Sequence, residues 1–412
     1  MKKLLQINPV LRTSTSTGRI MREIGEMAMS HGWESHVAYS RGRDGLLSCS
    51  SAVLPVGSKA SVVWHGIVTR LSDRHGLASS NATRAFIREI KALSPDIIHI
   101  HNIHGYFLNY RILFEYLSGC GIPVVWTVHD CWMYTGHCYY YTAAGCMKWK
   151  TGCGHCPQRS RFPKSLFLDR SGRNWQDKKE AFTSMPYGKL VIVPVSDWLR
   201  REMSESFLKD CRFDVIHNGI DTEVFKMVDD AAVREKYGLG SRHIILGVAS
   251  IWSREKGFDD FMRLASMLSD DEVLVLVGMD DERIMSLPDN VVGITRTDDV
   301  HELAALYSAA DVFVNPTWQD NYPTVNLESI SCGTPVVTYD TGGSPESVAP
   351  DTGYVVAPGD LASALAAVRR IEAAGKEHYR PLCRAYAEDN FRKEDRYKDY
   401  IGLYEDLLKR DE

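Results

Sequence analysis

Two carboxylates eight residues apart are the clearest candidates for chemistry in this chain of 412 residues. Asp320 lies in a polar loop, and Glu328 lies in Thr324–Ser331, whose apolar residues share one helical face. Short apolar runs at Asp311–Asn315 and Thr334–Tyr339 flank them and predict buried parallel strands. A helix that begins after a strand presents unpaired amides and a positive dipole end, which favour an anion. Acids beside such a site suit hydroxyl groups, so the pattern predicts a nucleotide-sugar site.

The same segment resembles the donor motif of retaining GT-B glycosyltransferases of family 4. An acid, seven residues and a Glu are followed here by the strand sequence CGTPVV. Asp320 stands where that family usually has Glu, and Pro323 replaces a usual Gly. The resemblance implies that Glu328 holds the ribose of the donor and that Asp320 contacts the transferred sugar as a catalytic and donor-binding residue. The amides of Thr324 and Val325 would then bind the diphosphate.

A second loop, Ser250–Gly257, follows the predicted strand His243–Ala249. In the family an Arg and a Lys from this loop hold the donor diphosphate. Lys256 matches the family's Lys. The usual Arg position is a serine here, so Arg254 is the substitute that the resemblance offers.

Two histidines that follow predicted strands are the catalytic candidates of the N-terminal half. Strand Asp96–Ile100 runs into His101, and the next strand ends at His129, followed by Asp130. A single histidine is more often structural, but two at strand ends in one crevice favour a functional role. His101 resembles the family's HxH histidine near the donor sugar, and His129 with Asp130 resembles its acceptor-side T-x-H-D corner.

A Ser/Thr-rich loop, Thr13–Gly18, follows the first predicted strand, Lys3–Ile7. Its hydroxyls and its glycine amide lie at a predicted helix start. In the family a glycine-containing loop here closes over the donor phosphates, so Gly18 is the donor-binding residue that the resemblance implies.

Strands alternate with helices along most of the chain, which predicts an α/β fold with doubly wound parallel sheets. The length favours two or three domains. The resemblance implies the GT-B fold, with two Rossmann-like domains facing a cleft. Residues 1–217 would form an acceptor-side domain and residues 218–392 a nucleotide-sugar-binding domain. A helix over residues 393–412 would cross back to the first domain.

The alternation stops in a cysteine-rich insertion, residues 131–157. Two cysteines in the sequence Cys-Gly-His-Cys have the spacing of a metal knuckle, and four thiolates would complete a tetrahedral zinc site. The alternative is a set of reduced, partly buried thiols. A catalytic metal is not expected, because no Asp-x-Asp pair follows a strand. The insertion resembles the colanic-acid-type exopolysaccharide branch of the family. The four candidate zinc ligands are Cys138, Cys146, Cys153 and Cys156.

The segment Met147–Lys179 carries nine Lys or Arg against two Asp, with four aromatic residues interleaved. A solvated basic face is one interpretation. The other is contact with an anionic membrane surface or with a pyrophosphate-linked lipid acceptor.

Composition limits the class of protein and its compartment. A formal net charge of -5 argues against a nucleic-acid binder. Polar residues interrupt the apolar N-terminus, and no apolar stretch is long enough to span a bilayer. The expected location is the cytoplasm, including the inner face of the membrane, where ten cysteines would be reduced or metal-bound.

The sequence therefore predicts a retaining glycosyltransferase of the hexosyltransferase type. It would move a sugar from a nucleotide-diphosphate-sugar to a glycan or polyprenyl-diphosphate-linked acceptor in exopolysaccharide, capsule or O-antigen biosynthesis. No carboxylate pair is placed to flank an anomeric carbon, which favours a front-face reaction. Two alternatives remain: a sugar-nucleotide 2-epimerase, and a non-catalytic nucleotide-binding partner of a polysaccharide complex.

Overall fold

The computed structural model describes residues 1–12, 15–42 and 49–409, and it divides into two α/β units. The first unit is Met1–His217 together with the C-terminal residues from Tyr397 onward. The second unit is Asn218–Arg396.

The first unit is built on a parallel sheet of seven strands in the order β3-β2-β1-β4-β5-β6-β7. The strands are β1 (Lys3–Ile7), β2 (Glu34–Tyr39), β3 (Ala52–Pro55), β4 (Ile97–Ile100), β5 (Val124–Val128), β6 (Leu190–Pro194) and β7 (Arg212–Phe213). The helices are α1 (Ser16–Ser30), α2 (Lys59–Ser72), α3 (Ser80–Leu93), α4 (Tyr110–Cys120), α5 (Ser171–Phe182) and α6 (Asp197–Ser204). Strands β1, β4, β5 and β6 are almost entirely buried, as expected for a sheet covered by helices on both faces.

The second unit repeats this order with six parallel strands, β10-β9-β8-β11-β12-β13. The strands are β8 (His243–Val248), β9 (Glu272–Val277), β10 (Val291–Ile294), β11 (Val312–Asn315), β12 (Val336–Tyr339) and β13 (Gly353–Val356). The helices are α7 (Ala231–Lys236), α8 (Phe258–Ala265), α9 (Asp281–Ile284), α10 (Val300–Ala309), α11 (Thr324–Ser331), α12 (Leu361–Ala374) and α13 (Lys376–Asn390). Both sheets are doubly wound, so the predicted fold class is confirmed.

The last helix, α14 (Lys393–Lys409), begins in the second unit and continues into the core of the first. Its buried tyrosines pack in one cluster with Leu4 of β1 and Ile20 of α1. The hydroxyl of Tyr404 lies 2.6 Å from Nδ1 of His99 on β4, which ties the helix to the sheet. The helix was predicted over residues 393–412; it is described as far as Lys409, and residues 410–412 lie outside the described part of the chain.

Two elements between β2 and α3 were not predicted from the sequence. Strand β3 is short and largely exposed. Helix α2 has a capping box between Ser58 and Ser61, but its apolar side chains face solvent. In the described part of the chain, no helix combines the length and apolar character needed to cross a membrane.

Candidate functional site

The candidate donor site of the second unit lies where its strand order reverses, between β8 and β11. In doubly wound sheets, ligands bind outside the carboxyl ends of the strands at this switch point. The loop after β8 ends in a short 3-10 helix, Arg254–Lys256, and the loop after β11 leads to α11. All the predicted donor-binding residues of this unit come from these two loops and from α11.

Backbone contacts fasten the two loops together. The amide of Trp318 donates to the carbonyl of Glu255 at 2.9 Å. Gly257 has φ of +77°, and a Cβ there would lie 2.3 Å from the carbonyl oxygen of Pro316. Only glycine fits this close approach. The turn that carries Lys256 is therefore held against the start of the neighbouring loop.

This fastening brings two predicted residues into direct contact. Lys256 Nζ lies 2.7 Å from Asp320 Oδ2, and the two side chains are 41% and 16% exposed. Asp320 is fixed through its backbone as well, because its carbonyl accepts from the amide of Gly343 at 3.1 Å. The preceding Gly342 has φ of +57°, and a Cβ there would lie 1.8 Å from the Asp320 oxygen. The two glycines after β12 thus allow the loop to pack against the candidate catalytic acid.

Helix α11 presents its N-terminus beside this ion pair. Pro323 is the N-cap residue and supplies no side-chain hydrogen bond. The helix itself begins at the next residue, so the first backbone amides at its N-terminus are those of Thr324 and Val325. Glu328, one turn later, is 6% exposed and accepts a hydrogen bond from the hydroxyl of Tyr307 at 3.1 Å. Tyr307 therefore orients Glu328, the residue predicted to bind the ribose. This role of Tyr307 was not predicted from the sequence.

Arg254 lies in the same 3-10 turn as Lys256, and its side chain is exposed. Arg254 therefore lies near the donor loop, but no ion pair between it and Asp320 or Glu328 is recorded among the described residues. Lys256 is the better-positioned of the two cations.

In the first unit, the candidate histidines lie at the carboxyl ends of β4 and β5. His101 is fully buried: Nε2 lies 3.0 Å from Gln6 Oε1 and Nδ1 lies 3.4 Å from His129 Nε2. The His101 and His129 rings are stacked, with centroids 5.7 Å apart. Burial lowers the pKa of His129 to about 4 and that of His101 well below its ordinary value, so both are neutral at physiological pH.

Asp130 contacts a histidine, a pairing that was not predicted from the sequence. Its Oδ2 lies 2.8 Å from Nε2 of His104, and its Oδ1 accepts from the Trp132 amide at 2.9 Å. Burial raises the pKa of Asp130, but His104 and this amide outweigh it and hold the pKa below its usual range. His104 follows β4 by four residues, and its distance from the strand end hid its role.

Gly18 lies at the first turn of α1. Its amide donates to the hydroxyl of Thr15, the N-cap residue, at 3.3 Å. The predicted phosphate loop Thr13–Gly18 is thus partly a helix cap; Thr13 and Ser14 lie outside the described residues.

The four cysteines predicted as zinc ligands lie around one pocket. This pocket belongs to the first unit, and all four cysteines are free thiols. The insertion around them contains three short 3-10 helices, Cys131–Met133, Thr142–Ala144 and Lys148–Lys150.

Comparison with known proteins agrees with this architecture. The model of Glycosyltransferase Family 4 matches residues 17–224, and that of Glycosyl transferases group 1 matches residues 242–372. A protein of Escherichia coli (strain K12) assigned to colanic acid biosynthesis as a glycosyl transferase, WcaC, is 26% identical over 364 residues, covering 86% of this chain and 87% of the relative.

Solved structures show the same fold. Sucrose-phosphate synthase from Thermosynechococcus elongatus matches with a TM-score of 0.71 at 17% identity, covering all of both chains. HepE of Anabaena, solved with UDP and with UDP-glucose, matches with a TM-score of 0.68 at 14% identity, covering 98% of this chain and 100% of that one. Since a family model matches half of the chain and a second model matches most of the rest, the chain belongs to glycosyltransferase family 4 and is a glycosyltransferase with a GT-B fold.

Proposed function

We propose that this enzyme transfers a sugar, with retention, from a nucleotide-diphosphate-sugar to a carbohydrate acceptor in exopolysaccharide biosynthesis. The observation that carries the proposal is the Lys256–Asp320 ion pair at 2.7 Å beside the N-terminus of α11. A cation and helix amides suit a departing diphosphate, and an acid beside them suits sugar hydroxyls. The relation to the E. coli relative supports an exopolysaccharide product.

In this proposal, the donor exchanges one ion pair for another. The diphosphate takes Lys256 from Asp320, and the sugar hydroxyls of the intact donor then satisfy the released carboxylate. Glu328, oriented by Tyr307, receives the ribose hydroxyls. Lys256 and the amides of Thr324 and Val325 supply the positive potential for the leaving group, so the donor site is proposed to work without a catalytic metal.

The acceptor side is proposed to involve His129 and Asp130. Asp130 is held ionised by His104. His101 is fully buried, so it acts through its contact with His129 as a positioning residue. A glycan or a polyprenyl-diphosphate-linked glycan is the proposed acceptor.

Nuclear magnetic resonance of the donor separates transfer from the two alternatives. With UDP-glucose or another nucleotide sugar, we expect turnover only when a polyprenyl-diphosphate-linked glycan is added, with the anomeric configuration kept. Donor conversion without acceptor would indicate an epimerase. Nucleotide binding without conversion under any condition would indicate a non-catalytic partner.

Lys256→Ala tests the observation on which the proposal rests. Loss of a charged partner of the diphosphate costs about 1.5–3 kcal/mol, so transfer should fall roughly tenfold to a hundredfold. Lys226→Ala is the matched control, because this exposed lysine of the same unit pairs only at the surface with Glu223. Equal activity of the two variants would refute the assigned role of Lys256.

We also propose that the first unit contacts an anionic membrane. Of the aromatic residues in the basic segment, Trp149 and Trp175 are 1% and 4% exposed and belong to the core. Phe162 and Phe167 are 54% and 69% exposed. Membrane contact by this segment is therefore confined to residues 162–168.

Helix α2 extends this surface. Trp64 is 61% exposed, and the amide of Leu166 donates to the carbonyl of Arg70 at 2.8 Å, which joins the helix to the segment. We define the apolar surface as Val63, Trp64, Ile67, Leu71, Phe162, Leu166, Phe167 and Leu168, all exposed. Exposed cations border it: Lys59, Arg70, Arg161, Lys164 and Arg170. Because α2 contains no acidic residue, the combination suits anionic lipid headgroups above an apolar layer.

A further inference from the structure

A buried histidine beside the four cysteines has one ring nitrogen without a partner. His137 has a side chain that is 1% exposed, and its Nδ1 lies 2.7 Å from Oδ1 of Asp73, whose side chain is fully buried. Its Nε2 is buried and has no hydrogen-bond partner among the described residues. His137 lines the same pocket as the cysteines. A buried ring nitrogen without a hydrogen-bond partner destabilises the folded chain. We therefore expect a bound group to contact it.

The chemistry of this nitrogen points to a metal. When a carboxylate accepts the Nδ1 proton of a neutral histidine, Nε2 carries the lone pair and acts as a ligand. Metal-binding histidines in proteins commonly donate their other nitrogen to a carboxylate in this way. Asp73 is itself fixed, because its Oδ2 accepts from the Arg170 amide at 2.7 Å and its carbonyl accepts from Asn174 Nδ2 at 2.6 Å. His137 is therefore held in one orientation.

The thiols supply the remaining ligands. Cys138 and Cys156 line the same pocket as His137. The amide of Gly136 donates to Cys153 Sγ at 3.2 Å, a contact that stabilises a thiolate. Thiolate and imidazole donors together select zinc over the hard cations magnesium and calcium.

The structure of the insertion indicates that a metal ion would stabilise its fold. The insertion has little regular structure, since its helices are three short 3-10 turns. Lys178 is 1% exposed and donates to the carbonyls of Trp132 and Thr135, which lead into His137. Among the described residues, no three of the five donor atoms lie within 4.8 Å of one another, so binding of an ion requires these atoms to move closer together.

We infer that this pocket binds one zinc ion and that His137 Nε2 is a ligand together with thiolates of the insertion. The ion would close the insertion as a structural site, with four protein ligands and no open position. The inference extends beyond the proposed transferase reaction, since the ion would lie in the cysteine pocket and take no part in sugar transfer.

Elemental analysis of the full chain, purified without added metal, tests the site. We expect about one zinc per chain. Cys153→Ser should lose most of it, whereas Cys211→Ser, outside the pocket, should retain it. Chelation should lower the melting temperature of the wild type and of Cys211→Ser. A wild-type chain without zinc, or an intact mass lower by two hydrogens from a Cys138–Cys156 disulfide, would overturn the inference.

The role of His137 is tested by cobalt substitution, which reports the ligand set by its absorption. In His137→Ala we expect weakened metal binding and a changed visible spectrum, with nucleotide affinity kept because the donor-binding residues are elsewhere. Cys211→Ser, outside the pocket, serves as the control and should keep the wild-type spectrum. An unchanged cobalt spectrum in His137→Ala would show that the thiols alone bind the metal.

Discussion

At the scale of single residues, the ion pair between Lys256 and Asp320 distinguishes Asp320 from Glu328, the other acid of the donor motif. Both acids of the donor motif lie near the same helix N-terminus, but only Asp320 is paired with the lysine. Glu328 is instead buried against Tyr307. The two acids should therefore respond differently to the donor and to its diphosphate alone.

Substitution of each acid tests this difference. Glu328→Ala should weaken binding of the bare nucleotide diphosphate by roughly tenfold to a hundredfold, since losing a charged hydrogen-bond partner costs about 1.5–3 kcal/mol. Asp320→Ala frees Lys256 from its internal partner, so affinity for the diphosphate should not fall, while transfer should drop roughly a hundredfold. Calorimetry with the diphosphate and initial rates with the intact donor measure both. An equal loss of diphosphate affinity in the two variants would show that the roles are assigned wrongly.

The types of these residues could be predicted from the sequence, but their pairing could not. Spacing within one segment placed Glu328 on α11 correctly. The contact between Lys256 and Asp320 joins positions 64 residues apart and depends on the close packing of Gly257 against Pro316. The contact between His104 and Asp130 likewise joins residues far apart in the chain, 26 positions from each other.

At the scale of secondary structure, buried elements were predicted well and exposed ones poorly. β1 and α11 match their predicted bounds, since a short, mainly apolar segment marks the strand and a helical apolar face marks the helix. Helix α2 was missed because its apolar residues face solvent and give no sign of a core behind them. β7 consists of only two residues, Arg212–Phe213, and lies at the edge of its sheet.

The outward apolar face of α2 yields a prediction about membranes. The double variant Trp64→Ser with Phe167→Ser should lower binding to phosphatidylglycerol vesicles roughly tenfold or more, because burying one large apolar side chain contributes about 1.5–3 kcal/mol. Co-sedimentation should also weaken as salt rises, since screening shortens to about 10 Å at 0.1 M. Tyr187→Ser is the control, as this side chain is 86% exposed but lies outside the apolar surface. Equal binding of the wild type to neutral vesicles, or no binding at all, would contradict the proposal.

At the scale of the whole molecule, each unit has the strand order that places loops of two neighbouring strands at a switch point. The alternation of strands and helices was enough to predict this class, because right-handed crossovers leave few other arrangements. The edge strands β3 and β13 were harder to predict from the sequence, because both are short and partly exposed.

The buried histidines of the first unit make its stability depend on pH. Burial lowers the pKa of His99 to about 3, and it lowers those of His65 and His129 to about 4, against 6.5 in an unfolded chain. Below pH 6.5 these histidines are therefore protonated in the unfolded chain but remain neutral in the folded chain. The free energy of unfolding consequently falls as pH falls from 6.5 towards about 4. Each such histidine contributes up to about 1.4 kcal/mol per pH unit in this window.

Denaturant unfolding of the intact chain at about pH 7.5, 6.5 and 5.5 measures this dependence. His99→Gln removes one titrating group, so the variant should be less stable at pH 7.5, where the contacts of His99 with Tyr404 and Thr127 are lost or weakened. Its stability should nevertheless decline less steeply than that of the wild type as the pH is lowered. His301→Asn, at an exposed position on α10, should keep the wild-type slope. If His99→Gln kept the full wild-type slope as well, His99 would have to be protonated in the folded chain, and its place in the neutral core between β4 and α14 would be wrong.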